Sequence, residues 1–446
     1  MRGSSLRSIA WCAVALAVAC GETAKTQSGP LDRIYRPTGL AVESGRLLVA
    51  SSNGDLLYDD DTGGSLIALD PSVDPAHIPT GGAVNLRSFA GDLVIARNVV
   101  QDPAAPEPDA CGTALATTLA ITATRGSNTL NTLSVAADGR LSCERCGTPL
   151  SGTFGDPFAV AVACGPGRAS AFVGYLHAPD AGAWLTEYDL VTGALRTVRA
   201  GIGPVRAFAY DAARDRLYFV GLATGVPTPL RWIELGGCTL GLAAGSGGCS
   251  VGSASLSPLP PGIELRSIAL AHPLAGAPQR AYLTGRLYDV ASAATAGGRT
   301  TEFGGLLIVV DFVENARGGV DAQVVRRMPL EGDLGHGLQD VRVLPARPGK
   351  RDVVATVAID DGVLWIYDDE TLSLAAFGRG GTTGAPTLGH QPFGLAVDPV
   401  AVGTAARLYV GSYGENYVTP IEVPLDAPDR AAFAGGTQRK ITGGTP

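Results

Sequence analysis

The chain has 446 residues, a formal net charge of −8 and only 17% charged residues. A protein that binds nucleic acid needs a clustered basic surface to neutralise phosphates, so this composition argues against a nucleic-acid partner. The 60 glycines and 30 prolines fall between short apolar runs, as turns do in an all-β protein.

The N-terminus has the composition of a bacterial export signal. Two arginines precede an apolar stretch over residues 9–18, which is too short to span a bilayer as a permanent helix. The tract AVA over residues 17–19 fits cleavage by ordinary signal peptidase. The tract LAVACG over residues 16–21 resembles a lipobox, in which the cysteine is lipidated. Both cleavages leave Cys20 as the first residue of the mature chain.

The number of cysteines favours the lipidated form. Cleavage removes Cys12, and seven cysteines then remain, an odd number for a compartment in which disulfides form. If Cys20 carries lipid, six remain and all can pair. We therefore predict a signal peptide over residues 1–19, a lipidated cysteine with a polar tether over 20–30, and a folded domain over 31–446. The lipid alone would hold the protein to the outer membrane or the periplasmic face of the envelope, unless the protein is secreted.

The remaining six cysteines predict up to three disulfide bonds. They are Cys111, Cys143, Cys146, Cys164, Cys238 and Cys249. The last two flank a loop rich in glycine, alanine and serine, which a bond between them would close. The second and third form a C-x-x-C pair, for which a redox site and half of a zinc site are alternatives. We favour two structural disulfides from this pair to the first and fourth cysteines, because no second pair stands at ligand spacing, and we expect no metal and no cofactor.

A short phrase recurs along the rest of the chain: a small residue, an apolar residue, an alanine and another apolar residue. It occupies residues 39–42, 159–162, 207–210, 267–270 and 394–397. A second apolar run follows each copy, and alignment gives four strands, a to d, in each of seven units with a mean spacing of about 59 residues. Sheets in such a series hide both faces by stacking in a circle. The sequence therefore predicts an all-β, seven-bladed β-propeller of four-stranded antiparallel blades.

Three parts of this assignment have alternatives. Strand a of the second unit is placed at residues 93–99, although residues 86–90 also fit the pattern. Strand d is poorly defined in the fourth unit and is expected near residues 438–441 in the last. The ring would close by packing of the last blade, or by a strand that residues 33–35 add to it.

The tract LYVGSYGENYVT over residues 408–419 resembles the YVTN class of seven-bladed β-propeller repeats. Those repeats pair a strand reading like LYV with a turn and a further strand, and the resemblance covers about 400 residues at the level of pattern. Such propellers include surface and periplasmic binding proteins and lactonase-like enzymes. The resemblance therefore implies the fold and leaves the function open.

Ligands of propellers usually meet one end of the central channel, so the position before the small residue of each phrase should ring the channel mouth. The residues at this position are Thr38, Phe158, Arg206, Arg266, Gln339 and Phe393, and the residue of the second unit is not assigned. Arg206 and Arg266 stand on adjacent blades. We hypothesise that their guanidinium groups hold a carboxylate or a phosphate. Alternatively, each arginine pairs with a neighbouring acid or extends into water.

Two histidines provide a second candidate site. His336 and His390 precede strand a of blades six and seven, and Glu415 and Asn53 lie in turns where the ring would close. Such groups could supply the general acid and base of ester or lactone hydrolysis. The alternative, which we favour, is that the histidines bond backbone carbonyls in loops. Asn53 also joins the two arginines as a candidate for ligand binding.

The sequence contains no strong catalytic constellation. It therefore predicts a protein without enzymatic activity: an exported, lipid-anchored, monomeric scaffold of the bacterial envelope that binds a small anionic ligand or an envelope protein. The alternative is a lactonase-like hydrolase that uses His336, His390 and Glu415 at the channel mouth.

Overall fold

The structure is a computed structural model. It describes residues 27–74, 76–100, 107–150, 155–165, 168–176, 184–199, 204–221, 230–239, 248–257, 259–260, 263–288, 302–314, 320–330, 336–378, 388–400, 404–435 and 438–443. The predicted signal peptide, Cys20 and most of the predicted tether lie outside the described residues.

Seven four-stranded antiparallel sheets, the blades, follow one another along the chain. Blade 1 contains β1 (Pro37–Glu43), β2 (Arg46–Ser51), β3 (Gly64–Leu69) and β4 (Ala83–Leu86), and blade 2 contains β5 (Ala90–Ala96), β6 (Leu119–Thr124), β7 (Thr129–Val135) and β8 (Leu141–Pro149). Blade 3 contains β9 (Pro157–Gly165), β10 (Arg168–Tyr175), β11 (Trp184–Asp189) and β12 (Leu195–Arg199), and blade 4 contains β13 (Ala207–Asp211), β14 (Arg216–Val220), β15 (Leu230–Glu234) and β16 (Val251–Ala254). Blade 5 contains β17 (Ile263–Leu270), β18 (Gln279–Tyr288), β19 (Glu302–Glu314) and β20 (Val320–Leu330), and blade 6 contains β21 (Leu338–Val343), β22 (Val353–Ala358), β23 (Val363–Asp368) and β24 (Ser373–Phe377). Blade 7 contains β25 (Pro392–Val397), β26 (Ala405–Ser412), β27 (Tyr417–Pro424) and β28 (Ala432–Phe433).

The first strands of the blades lie side by side around a central channel. Each of these strands contacts the first strand of the next blade, and β25 contacts β1, so the ring is closed. Within each blade, every later strand pairs with the strand before it. No α-helix occurs among the described residues. The prediction of an all-β, seven-bladed β-propeller is confirmed.

The small residues of the repeated phrase stand where inner strands approach one another closely. A Cβ atom added at Gly39 would lie 2.8 Å from the carbonyl oxygen of Gly91 and from the Cβ of Leu93, both on the next blade. At Gly394, an added Cβ would lie 3.2 Å from the carbonyl oxygen of Thr38 on blade 1. The phrase therefore begins with a small residue because seven strands crowd around one axis.

Alternation along each strand supplies an apolar face to both neighbouring blades. In β2, Leu47 and Val49 belong to the core that blade 1 shares with blade 7, whereas Leu48 and Ala50 belong to the core shared with blade 2. All four side chains are fully buried. Because successive side chains of a strand point to opposite faces, such a strand needs a sheet on each side, and the circular arrangement provides it.

A buried charge network fastens blade 5 to blade 6. The Arg280 guanidinium donates to the two carboxylate oxygens of Asp311 at 2.6 and 2.8 Å and to Asp369 at 2.5 Å. Tyr282 and Tyr367 donate their hydroxyls to Asp369 at 3.0 and 2.9 Å. Burial, together with the nearby carboxylates, raises the pKa of both tyrosines well above the ordinary value, so both remain donors. Asp369 therefore accepts hydrogen bonds from both blades.

Strand a of blade 2 supports the preferred placement. It spans Ala90–Ala96, which overlaps the expected strand at 93–99 and begins where the alternative at 86–90 would have ended. The strand d that was poorly defined in blade 4 is Val251–Ala254.

The expected position of the last strand is wrong. Strand d of blade 7 is Ala432–Phe433, because the chain turns back through a 3-10 turn at Pro428–Arg430 soon after β27. Within the predicted segment 438–441, Ile441 makes an isolated bridge with Val418, further along the same edge of β27. The outer edge of blade 7 is therefore paired in two separate places.

The ring closes by blade packing, and the two ends of the described chain add to it. Residues 33–35 form no strand, but the Ile34 N–H donates to the Thr442 carbonyl at 2.7 Å. The Ile34 side chain is buried in the core that blades 1 and 7 share. The Arg36 N–H donates to the Asn416 side chain at 2.9 Å, which ties blade 1 to a turn of blade 7.

All six cysteines of the folded domain form disulfide bonds, but the pairing differs in part from the expectation. They join Cys111 to Cys164, Cys143 to Cys146 and Cys238 to Cys249. The last pair is the one expected, whereas the predicted bonds from the C-x-x-C pair to the other two cysteines are wrong. The reason is that the C-x-x-C pair lies on β8, the outer strand of blade 2, whereas the other two cysteines meet beside β9, the inner strand of blade 3.

The three disulfide bonds indicate an oxidising, extracytoplasmic compartment, because disulfides form and persist there. Among the described residues, no helix is long and apolar enough to cross a membrane.

Candidate functional site at the channel mouth

A β-bulge interrupts the first half of the inner strand in six blades. In β1, Pro37 pairs with Ser51 and Gly39 with Ala50, so Thr38 is the additional residue. The same irregularity occurs in β5, β9, β17, β21 and β25. A bulge bends the strand and redirects the additional side chain. The repeated bulges therefore define one end of the channel, which we call the mouth.

The channel contains a cavity of about 420 Å³ that all seven inner strands line. The charged lining side chains near the bulges are Asp92, Arg206, Arg266, Asp340 and Arg342. The sequence placed both Arg206 and Arg266 here, but left blade 2 unassigned and chose Gln339 for blade 6. The two acids were missed because the bulges of β5 and β21 each leave two residues opposite one partner. In each strand an acidic residue directly precedes the apolar residue at which pairing resumes after the bulge, Leu93 or Val341, and this is the signal that could have revealed them.

Arg206 is the unusual residue of the mouth. The residue is only 6% exposed, and its guanidinium carbon lies 3.8 Å from the centre of the Phe158 ring on blade 3. Among the described residues, the guanidinium has no hydrogen-bond partner and no ion-pair partner. Burial, together with the nearby charge of Arg266, lowers the pKa of Arg206 to about 10, against the opposing effect of Asp92. The group therefore remains a cation at neutral pH, unpaired and facing the cavity.

Arg266 is differently placed, because it has partners on its own blade. Its guanidinium lies 2.9 Å from the Glu264 carboxylate and donates to the Tyr288 hydroxyl at 3.3 Å. This agrees with the alternative in which the arginine pairs with an acid. Arg266 therefore contributes an electrostatic field to the mouth while its charge is compensated locally.

Two further arginines near the mouth are also paired. Arg286 donates to the Gln339 side chain at 2.9 Å and lies 3.6 Å from Glu302, whose pKa burial raises. Arg342 lies 2.9 Å from the Asp340 carboxylate. Gln339, which the sequence placed at the mouth, is buried and serves as a partner of Arg286. Arg206 is thus the one cation of this group without an acidic partner among the described residues.

Asp92 carries the matching acidic charge. The backbone N–H of Val160 on blade 3 favours its ionised form, and the carboxylate lies in the field of Arg206, Asp340 and Arg342. Burial raises the pKa of Asp92 to about 7, in spite of the attraction of Arg206. The side chain is half-buried because part of its surface meets the lumen. Near neutral pH, the mouth therefore contains a carboxyl group that readily gains or loses a proton.

The opposite end of the channel has a different character. There Arg97 donates two hydrogen bonds of 2.8 Å and one of 3.0 Å to Asp109 and lies 3.2 Å from Glu107. This arginine is fully compensated by two acids. The asymmetry between the two ends places the candidate anion site at the mouth.

The two histidines of the second candidate site lie apart in their contacts. The His336 Nδ1 lies 3.3 Å from Asp361, and the His336 N–H donates to the same carboxylate at 2.6 Å. His390 is exposed, and its carbonyl accepts from the Gly414 N–H at 3.1 Å. Glu415 is also exposed. The described contacts therefore do not join His336 to His390 or to Glu415.

Asn53 is fully buried, and its side-chain amide forms hydrogen bonds mainly within its own loop. Its amide nitrogen donates to the Tyr58 carbonyl at 2.8 Å and to the Ser88 hydroxyl at 3.0 Å, and its oxygen accepts from the Tyr58 N–H at 3.1 Å. The two bonds to Tyr58 close the turn between β2 and β3, and the bond to Ser88 ties this turn to the segment after β4. The contacts of Asn53 are those of a residue that shapes a loop.

Within the described ranges, no group of three or more histidine, cysteine, aspartate or glutamate side chains has the arrangement of a metal site.

Comparison with known proteins gives structural neighbours and no family. No family model matches the chain, and no curated protein matches it. A solved protein from Lactobacillus plantarum is 15% identical, with a TM-score of 0.48, and the match covers 81% of this chain and 89% of that chain. A functionally unknown protein from Desulfotomaculum acetoxidans is 12% identical, with a TM-score of 0.46, over 79% of this chain and 86% of that chain.

Proposed function

We propose that this chain is an exported, lipid-anchored β-propeller of the YVTN type that acts as a non-catalytic binding protein of the bacterial envelope. Its ligand is a small anion held at the channel mouth. The observation that carries the proposal is the buried guanidinium of Arg206, which stacks on Phe158 and has no acidic partner among the described residues.

The physical argument rests on the cost of burying a charge. A buried cation without a hydrogen-bonding partner loses several kcal/mol of hydration, and proteins rarely keep one unless it has a use. An oxyanion in the cavity would accept charge-assisted hydrogen bonds from the guanidinium, which are about twice as strong as neutral ones. The planar guanidinium suits a carboxylate or phosphate, and the ring of Phe158 fixes its plane. The paired neighbours Arg266 and Arg342 would add a favourable field.

Calorimetric titration with benzoate and with sulfate tests the anion site. We expect the wild-type propeller to bind at least one of them, and Arg206→Met to lose that binding without a lower melting temperature. The matched control is Arg140→Met, since Arg140 is exposed and pairs with Asp138 on the outside of blade 2. Equal binding by wild type and Arg206→Met would overturn the proposal.

The lipid anchor has its own test. The disulfide-forming cysteines fit export, and the odd cysteine Cys20 is the predicted site of lipid attachment. Replacing it in Cys20→Ala should release the protein from the membrane fraction. Membrane association that persists in this variant would contradict lipidation.

A lactonase-like hydrolase is the second candidate, and one observation favours it. Asp361 holds the Nδ1 of His336, and a carboxylate that orients an imidazole in this way prepares a general base. If purified protein hydrolysed lactones, and if His336→Ala and His390→Ala abolished the turnover, the scaffold proposal would be wrong. Turnover unaffected by both changes would point to a contaminant.

A further inference from the structure

We propose that the ligand is a monocarboxylate and that its binding at the channel mouth is coupled to the uptake of one proton by Asp92. This inference rests on the proposed anion site and adds its ligand class and its regulation. Asp92 would compete with the ligand for the charge of Arg206. When Asp92 is ionised, its carboxylate offsets the positive charge of Arg206. When Asp92 is protonated, that charge is available to the ligand.

The geometry keeps the two groups close without letting them pair. Asp92 comes from the bulge of β5 on blade 2, and Arg206 precedes β13 on blade 4. The residue between them is Phe158 of blade 3, whose ring packs under Arg206. Its carbonyl oxygen would lie 2.8 Å from a Cβ added at Gly91, the neighbour of Asp92. Phe158 therefore contacts Arg206 through its ring and the backbone beside Asp92 through its carbonyl, and neither charge has an ion-pair partner among the described residues.

The groups that face Asp92 come from three blades. They are the Val160 N–H of blade 3, Arg206 of blade 4, and Asp340 with Arg342 of blade 6. Asp340 is held by its ion pair with Arg342 and by the Ser267 hydroxyl, which donates to it at 3.2 Å. Asp92 has only the backbone N–H. Among the described residues, Asp92 is therefore the acid of this group that lacks a side-chain partner.

The charges that face Arg206 set the charge of the ligand. Besides Asp92 and Asp340, they are Arg266 and Arg286 of blade 5. Arg266 is compensated by Glu264 and Arg286 by Glu302, as Arg342 is by Asp340. One cation remains, which balances one negative charge. A monocarboxylate meets this condition, whereas a dianion would leave one charge uncompensated.

The linkage with protons follows from electrostatics. Burial already raises the pKa of Asp92 to about 7, and an anion bound at Arg206 adds a like charge, which raises this pKa further. The complex therefore holds the proton more tightly than the free protein does, and binding takes a proton from solvent near neutral pH. The protonated carboxyl can donate a hydrogen bond to one oxygen of the ligand. Affinity is highest below the pKa of the free protein and falls as the pH rises through about 7.

Titration of the full mature propeller with benzoate and sulfate at about pH 6 and about pH 8 tests the inference, because neither probe changes its own charge in this range. We expect benzoate to bind roughly tenfold more tightly at the lower pH, with about one proton taken up per benzoate at the higher pH. Repeating the calorimetry in buffers of different ionisation enthalpy counts this proton. Sulfate should bind more weakly than benzoate at both values.

Two variants distinguish failure of the proton coupling from failure of the anion site on which it rests. Asp92→Asn should bind benzoate with the same affinity at both pH values, close to that of wild type at the lower pH, and without proton uptake. Asp340→Asn removes an acid from the same mouth and should keep the pH dependence. If wild type binds benzoate through Arg206 but shows no proton uptake, or if Asp92→Asn keeps the pH dependence, the coupling is overturned and the anion site stands. Tighter binding of sulfate would overturn the monocarboxylate, and the absence of any binding would overturn site and inference together.

Discussion

Replacing Asp92 by asparagine should stabilise the propeller, and the gain should depend on pH. Folding raises the pKa of this carboxyl from 3.8 to about 7, so the folded state disfavours the ionised form. Each tenfold change in proton affinity corresponds to about 1.4 kcal/mol, which sets an upper limit of about 4 kcal/mol. Because water in the lumen reaches part of the side chain, we expect about 2–4 kcal/mol.

The sign follows from the order of the two pKa values. Below about pH 4 the group is protonated in both the folded and unfolded states, so wild type and Asp92→Asn should unfold with nearly equal free energies. Between about pH 4 and 7 only the unfolded state is ionised, and wild type loses stability relative to the variant as the pH rises. Above about pH 7 the difference becomes constant.

Guanidinium unfolding across this range, followed by tryptophan fluorescence, measures the difference. Asp138→Asn is a control with the opposite sign, because the Arg140 backbone N–H lowers the pKa of Asp138, and that contribution disappears as the pH falls. A difference between wild type and Asp92→Asn that does not change with pH would refute the reasoning, as would a variant that is less stable than wild type at pH 8.

Two further changes test the scaffold. Asp369→Ala should lower the free energy of unfolding by about 3–5 kcal/mol, because Arg280 and two tyrosine hydroxyls would lose a buried acceptor between blades 5 and 6. A thermal melt unchanged by this substitution would show that the network contributes nothing. Gly39→Ala should also lower the melting temperature, because the added Cβ would lie 2.8 Å from the backbone of the next blade. The control is Gly155→Ala, whose added Cβ meets open space and which should change the free energy of unfolding by less than about 0.5 kcal/mol. Equal melting temperatures for these two glycine variants would contradict close packing of the inner strands.

The repeated phrase was sufficient to predict the architecture, because it reports a physical constraint that acts once in every blade. The small residue reflects the close approach at Gly39 and Gly394, and the alternating run reflects burial on both faces, as at Leu47 and Leu48. The last strand could not be placed in this way. It has only two residues, Ala432–Phe433, and a pair of residues carries no periodicity.

The candidate site could be predicted only in part. Arg206 and Arg266 stand directly before two copies of the phrase, where other copies are preceded by threonine or phenylalanine, and the structure places both at the mouth. The sequence does not distinguish them, because the ion pair of Arg266 with Glu264 and the isolation of Arg206 depend on local geometry. Asp92 was missed for a different reason. The bulge in β5 adds one residue to the strand, whereas the repeated phrase predicts positions only if every inner strand has the same spacing of residues.

The bulges at the mouth also have a consequence for how such a protein can change. A bulged residue stands outside the ladder of paired residues, so its side chain can be exchanged without altering the strand pairing on either side of it. Thr38, Arg266 and Phe393 occupy equivalent places on three blades and already differ in charge, size and aromaticity. The scaffold thus separates the residues that specify its shape from those that specify its chemistry. A propeller of this design can acquire a new ligand by substitutions around one rim, while the rest of each blade stays as it is.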